Sequence, residues 1–389
     1  MTLRYLTAGE SHGPALTAIL EGMPAGLALT EETIAADLAR RQTGAGAGGR
    51  MAIEKDRAMI LAGVMEGLTT GAPIALQITN LDHANWKGRE VPAYTIPRPG
   101  HADLAAALKY GYEDIRPSLE RASARETAAR VAVGAVCRAL LSTFGIKVGG
   151  YVVAVGGKTA DLSGIGFDDR IARARGSAVQ CPDPAAAQEM GRLIESARAE
   201  GQTLGGIIEI AALGVPPGLG SHVNWDRRLD ARLGQAVLGV PAIKGVEIGD
   251  AFRNTSEQGT RAQDAICPGP CGLERKGNAC GGIEGGISNG NTVWLRAAMK
   301  PIPTTLQGQE SVDLATGQAA LSRYERSDVC PVPRAVAVIE AVTAIVLADA
   351  LIEKLGGDSV AEMKPRFDAL KRATFECARM SGKPHLFWP

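Results

Sequence analysis

The sequence predicts an α+β fold: two sheets enclosing apolar helices, in one domain built from two pseudo-equivalent halves. Three observations carry this. Two long segments, 123–145 and 332–356, are apolar around most of their circumference, as helices packed on several sides must be. Three strand-like runs, APIALQITN (72–80), GIIEIAALGV (206–215) and NTVWLRAAMK (291–300), accompany them. Two short patterns recur in the same order: GMPAGL (22–27) with GVPPGL (214–219), and EGLTTGAPI (66–74) with GGISNGNTV (285–293). No Ser/Pro-rich linker or charge run divides the 389 residues, so the whole of 1–389 reads as one domain.

In chain order, TEETIAADLARR (30–41) starts at an N-cap threonine and spaces Ile34 and Leu38 four apart, which predicts a helix. RMAIEKDRAMILAG (50–63) reads as strand and turn. SARETAARVAVGAVCRALLSTFG (123–145) is a helix closed by glycine. VPRAVAVIEAVTAIVLADALIEKLGG ends the same way at Gly356; Glu340 and Asp349 interrupt it, which makes it a core helix and not a membrane span.

Bulk composition narrows function. Lys+Arg and Asp+Glu are both 42, and aromatics are 4%. Nucleic acid would call for net positive charge and aromatic platforms, so neither a nucleic-acid nor a membrane partner is expected. The seven cysteines are irregularly spaced, and MTLRYLTAGESH lacks a basic start followed by an apolar run. A reduced, cytoplasmic setting follows. Cys267, Cys271 and Cys280 cluster, but no histidine and no second C-x-x-C accompany them, and no metal site is expected.

The stretch RRQTGAGAGGRM (40–51) matches G-x-G-x-x-G at Gly44, Gly46 and Gly49. A dinucleotide turn follows a strand and opens a helix. Here the predicted helix precedes the glycines, so an oxidoreductase reading fails. The segment near 43–50 reads instead as a mobile loop bordered by Arg40, Arg41 and Arg50, suited to closing over a phosphorylated or carboxylated ligand. His12 in GESHG and His101 in RPGHAD are framed by Gly and Pro, as catalytic loop residues often are; His83 in NLDHANW is either catalytic or structural. Arg116, Arg121, Arg125 and Arg130 crowd the start of the 123–145 helix, where Ser123 and free N–H groups offer an anion site. Arg326 and Asp328 stand together in ERSDVCP. Such clusters in a neutral chain point to a small polyanionic ligand.

Eight blocks together resemble the chorismate synthase family: GESHGPAL, RRQ-x-G-x-G, RPGHADLAAALKYG, RASARETAARVAVGA, IKGVEIG, GGIEGGISNG, MKPIPT and ERSDVCPVPRA. They run from Gly9 to about Leu355. The resemblance implies a β-α-β sandwich of two antiparallel sheets around a central helical layer, and a homotetramer. It implies a 1,4-elimination of phosphate from 5-enolpyruvylshikimate-3-phosphate (EPSP), dependent on reduced FMN, with NADPH or a separate flavin reductase as the source of electrons. By the same resemblance His12 protonates the reduced flavin, His101 the leaving phosphate, and Asp328 acts as base towards the flavin. The FMN contacts would be Arg121, Ala122, Ser123, Pro241, Ala242, Gly285, Lys300, Pro301, Ile302, Pro303, Thr304 and Arg326. Substrate or NADPH contacts would be Arg40, Arg41, Ala47, Arg50 and Arg125. One departure stands out. Family members read RRQ-x-G-Y-G-R-G, whereas this chain has Ala45 and Ala47 at the tyrosine and second arginine positions. Loss of one guanidinium costs about 1.5–3 kcal/mol of ligand binding unless Arg50 replaces it.

Overall fold

The computed structural model describes residues 3–47, 55–270, 272–325 and 327–388. Alternation of apolar side chains sets the first sheet. Strand β2 (Ala15–Glu21) buries Leu16, Ala18 and Leu20, and β4 (Ile74–Thr79) buries Ile74, Leu76 and Ile78, the period of two that puts one strand face on the core. With β1 (Arg4–Ala8) and β3 (Ala58–Ala62) they form an antiparallel sheet in the order β1-β2-β4-β3.

The second sheet joins β5 (Lys147–Val155), β6 (Gly206–Leu213), β7 (Ile243–Ile248) and β8 (Val293–Met299) in the order β7-β8-β6-β5. It too is antiparallel, and the two-residue strand Lys158–Thr159 extends its edge. β5 and β6 are buried on both faces.

Helix α1 (Glu31–Gln42) begins where the Thr30 side chain accepts a hydrogen bond from the Thr33 N–H, and it buries Ile34 and Leu38. Three helices follow: α2 (Asp103–Tyr110), α3 (Arg116–Arg121) and α4 (Thr127–Thr143). Later come α5 (Phe167–Arg175), α6 (Pro184–Ala199), α7 (Leu229–Leu238) and the 24-residue α8 (Val332–Leu355). α4 packs against β2 and β4 of the first sheet, against β5 of the second, and along α8, which itself lies on β5 and β6. Such surroundings account for apolar residues on every side of these two helices. α8 is long and apolar enough to cross a membrane, yet 94% of its most apolar window is buried within the protein; it is a core helix. α4 and α8 approach so closely at Gly134 that a Cβ there would lie 2.3 Å from the Ala341 Cβ.

The helix expected over 123–145 is shorter at both ends. A 3-10 turn, Ala124–Glu126, precedes it, and α4 starts at Thr127. The Ser123 hydroxyl accepts from the Arg125 N–H; that donor, expected to be open to an anion, is already satisfied.

The recurring patterns occupy equivalent places. Each lies beside a pair of neighbouring antiparallel strands, β2 with β4 and β6 with β8. In the first, the Leu27 N–H donates to the Thr69 Oγ1 (2.9 Å), which donates to the Pro24 carbonyl (2.6 Å). In the second, the Leu219 N–H donates to the Ser288 Oγ (2.8 Å), which donates to the Pro216 carbonyl (2.6 Å).

Candidate active site

A cavity of about 950 Å³ opens beside the two histidine-bearing loops. Its wall takes residues from GESHG and RPGHAD, from the α3–α4 junction, from the segment after α7, from the end of β8 and from the start of α8. Apolar Val240, Pro241, Ala242 and Ile243 line one part; Arg41, Arg98, Arg121, Arg125 and Arg334 line another.

Both loop histidines reach this cavity, and each is anchored by a carboxylate. The His12 Nδ1 lies 2.7 Å from the Glu120 Oε1, while the His12 backbone N–H donates to the Glu120 Oε2, also at 2.7 Å. The His12 ring packs on Trp86, centroids 4.3 Å apart. Burial would raise the Glu120 carboxyl, but hydrogen bonds from His12 hold it below its ordinary value. The His101 Nδ1 lies 2.5 Å from the Asp103 Oδ1. Asp103 is fully buried. Its Oδ2 accepts from the Arg98 N–H (3.0 Å) and Nε–H (2.8 Å), which closes the RPGHAD turn. Burial opposes ionisation here too, but hydrogen bonds from His101 and Arg98, with the Arg98 charge, hold Asp103 well below the usual carboxylate range.

The GESHG turn is held from below by Asn80. Its Nδ2 donates to the carbonyls of Glu10 (3.2 Å), Ser11 (3.1 Å) and Gly13 (2.8 Å), and its Oδ1 accepts from the Arg125 Nε–H (2.8 Å). His83 does not line the cavity, and its Nδ1 lies 2.9 Å from the His12 carbonyl. Arg125 in turn meets Asp56 (2.5 Å), and the other Asp56 oxygen meets Arg41 (3.3 Å). Arg41 also donates to Thr127 and to the Ala124 carbonyl. Complete burial pulls the Arg41 pKa down to about 10, still far enough above neutrality to keep the guanidinium charged. A chain of fixed cations and acceptors thus forms the floor.

Around the rim, Arg121 donates to the Thr7 and Gly9 carbonyls, and the Ser123 hydroxyl lies 3.1 Å from that of Ser11. The Lys300 Nζ donates to the Gly100 carbonyl beside His101. Ala242 holds φ at 66°, a left-handed conformation uncommon for a residue with a Cβ; its carbonyl accepts from the Lys300 N–H at 3.0 Å. Ala122, Ile302, Pro303 and Thr304 also line the cavity, with Thr304 buried. Asp328 is there too, ion-paired with Arg334, whose Nε–H donates to the Arg41 carbonyl.

Not every expected residue arrives. Arg40 does not line the cavity. It forms a bidentate pair with the buried Glu340 of α8, at 2.5 and 2.8 Å, because the residue before Arg41 on a helix points about 100° away from it. Gly285 sits in the turn between the short strands Ile283–Glu284 and Ile287–Ser288, and Pro301 and Ala47 likewise fall outside the cavity wall. The described start of the glycine loop is tied down. The Ala45 N–H donates to the Ala178 carbonyl, the Gly46 carbonyl accepts from Val329, and a Cβ at Gly46 would lie 2.8 Å from the Cys330 carbonyl. Arg50 and Arg326, with Gly49 and Cys271, lie outside the described residues. Sequence reasoning missed Glu120, Asp103, Asn80, Asp56 and Arg334. For Asp103 a signal existed in its position two residues after His101; the others are brought in from other elements.

The chorismate synthase family model matches residues 3–352. A protein from Trichlorobacter lovleyi called chorismate synthase is 51% identical over 383 residues, covering 94% of this chain and 98% of its own. One from Desulforudis audaxviator with the same name is 52% identical over 371 residues, covering 93% and 95%. A solved chorismate synthase structure superposes with a TM-score of 0.78 at 44% identity, covering 95% of this chain and 97% of the other. With two carboxylate-held histidines in a cationic cavity, these matches define a carbon–oxygen lyase that releases phosphate from a small anionic substrate. The chain belongs to the chorismate synthase family. Its reaction is the 1,4-elimination of phosphate from EPSP to give chorismate, and the family is generally flavin-dependent.

Proposed function

We propose that the cavity binds EPSP beside reduced FMN, and that His12, His101 and Asp328 are the proton-handling groups. The observation that carries this is the entry of both histidines, from separate loops, into one cavity with a cationic floor and an apolar wall. The substrate carries a phosphate and two carboxylates, which arginines at fixed positions suit. The apolar run 240–243 and the strained Ala242 offer a flat wall for an isoalloxazine ring, and Arg121 with Lys300 supplies cations for its phosphate. Reduced FMN, when bound, supplies transient electron density to the allylic C–O bond.

The chain's own residues then do the rest. His101 gives a proton to the leaving phosphate oxygen. His12 would hold a proton beside the cofactor, and Asp328, its carboxylate kept in place by Arg334, would be the final acceptor of the proton that the substrate loses as phosphate leaves. Arg41 and Arg125 orient the substrate anions. Arg50 and Arg326 are proposed as further anion contacts. The reductant is NADPH or a separate flavin reductase. The protein works in the cytoplasm as a homotetramer of β-α-β sandwiches, each built from duplicated halves; the matching Thr69 and Ser288 hydrogen bonds support the duplication.

The test is anaerobic. Chemically reduced FMN and EPSP are mixed with the protein while chorismate absorbance and free phosphate are followed. Both products should appear in equal amounts. Binding of FMN without turnover would sink the assignment of the catalytic groups, and absence of FMN binding would sink the flavin site. Repeating with oxidised FMN and NADPH alone separates self-reduction from dependence on a reductase.

A further inference from the structure

The two catalytic histidines come from unrelated loops, yet the same device holds both. One oxygen of a carboxylate is committed to a backbone N–H of the loop: the Glu120 Oε2 to the His12 N–H, and the Asp103 Oδ2 to the Arg98 N–H. The other oxygen faces the histidine Nδ1, at 2.7 Å for Glu120 and 2.5 Å for Asp103. An ionised carboxylate accepts and cannot donate, so the short contact requires the proton on Nδ1. The Arg98 Nη2 also lies 3.0 Å from the His101 Nδ1, 3.5 Å from its Nε2 and 3.0 Å from the Asp103 Oδ1. With Asp103 ionised, that N–H belongs to the carboxylate.

We infer that Glu120 and Asp103 are positioning residues that hold a proton on Nδ1 of His12 and His101 in both the neutral and the charged ring, so that Nε2 is the atom that carries and gives the catalytic proton. This rests on the proposed roles of the histidines. The arrangement makes a sharp statement about amides. In Glu120→Gln the oxygen must stay on the His12 N–H, which turns the amide NH₂ towards the His12 Nδ1. In Asp103→Asn the oxygen must stay on the Arg98 N–H and Nε–H, which turns the NH₂ towards the His101 Nδ1. A donor now faces Nδ1, and the ring moves its proton to Nε2. A single side-chain atom changes, without loss of volume.

Nitrogen NMR of histidine-labelled protein reads this directly, since there are only five histidines. In the unmodified protein His12 and His101 should carry Nδ1–H whether charged or neutral, and as neutral rings should be the Nδ1–H tautomer, with His83 as an internal reference through its bond to the His12 carbonyl. Each amide variant should invert the tautomer of its own histidine only. kcat should fall by about 10²- to 10⁴-fold, the range for loss of an orienting carboxylate, with KM for EPSP and FMN affinity within about threefold, because no ligand contact is removed. Inversion of the tautomer with kcat preserved would overturn the inference, as would an unchanged tautomer. If a variant does not fold, a neutral His12 or His101 ring in the unmodified protein that carries its one proton on Nε2 and not on Nδ1 is already sufficient to overturn it. His12→Ala and His101→Ala separate the two levels: full activity in either removes that histidine from the proposed chemistry, whatever its tautomer.

Discussion

Replacing Glu340 by leucine should be among the most damaging single changes away from the cavity. Glu340 is fully buried in the middle of α8. Its carboxylate accepts two bonds from Arg40 (2.5 and 2.8 Å), one from Arg138 (3.1 Å) and one from the Gly150 N–H of β5 (2.7 Å), and so joins α1, α4, α8 and the second sheet. Leucine matches the volume but leaves a partly buried guanidinium and a buried N–H unpaired. Removing one partner of a buried pair costs about 3–5 kcal/mol, most of it for the stranded charge. Arg138 keeps Asp37 at 2.8 Å and is spared. Among the described residues, Arg40 retains a 3.6 Å contact with Asp37.

The cost should therefore shrink when Arg40 is removed as well. Arg40→Met alone should cost roughly 1.5–3 kcal/mol. The double variant Arg40→Met/Glu340→Leu should be more stable than Glu340→Leu, with a coupling of about 1.5 kcal/mol or more. Urea unfolding with linear extrapolation reads all four proteins. A loss below about 1 kcal/mol for Glu340→Leu, or a double variant that equals the sum of the singles, would refute the reasoning and return Arg40 to the pool of ligand contacts.

Three further expectations follow from the same structure. Gly134→Ala places a Cβ 2.3 Å from the Ala341 Cβ and should cost about 1–3 kcal/mol by forcing α4 and α8 apart; a melting temperature equal to that of the unmodified protein would contradict the packing. Asn80→Ala frees three carbonyls of the GESHG turn and should lower kcat by about 100-fold through misplacement of His12, while FMN affinity, measured by flavin fluorescence, changes little; equal turnover would show that the turn holds itself. Glu340 remains below its ordinary value because the Arg40 and Arg138 bonds and charges outweigh its burial. Its folded value lies below its unfolded one, so its contribution is complete above about pH 4.5 and is lost as pH falls further. Burial raises Asp37 and Asp349, which acts in the opposite sense. The urea midpoint should fall below about pH 4.5, less steeply in Glu340→Gln; parallel slopes would remove Glu340 as a cause.

The sequence by itself determined the central elements and singled out the two loop histidines. The N-cap at Thr30 and the glycine after Leu355 mark real helix ends, and the strand runs 72–80, 206–215 and 291–300 hold β4, β6 and β8. These signals are local, and local periodicity records them. The loop histidines were legible for the same reason, because Gly and Pro frame them. Only the tertiary structure decided which polar groups meet. Arg40 and Arg41 are neighbours in sequence, yet one is pledged to α8 and the other to the cavity floor, since adjacent helical residues diverge. Glu120 reaches His12 across 108 residues and Asn80 reaches GESHG across about 70, and no spacing rule spans such distances. The carboxylates that orient the histidines look in the sequence like any other surface charge; burial and a committed backbone N–H are what give them a task.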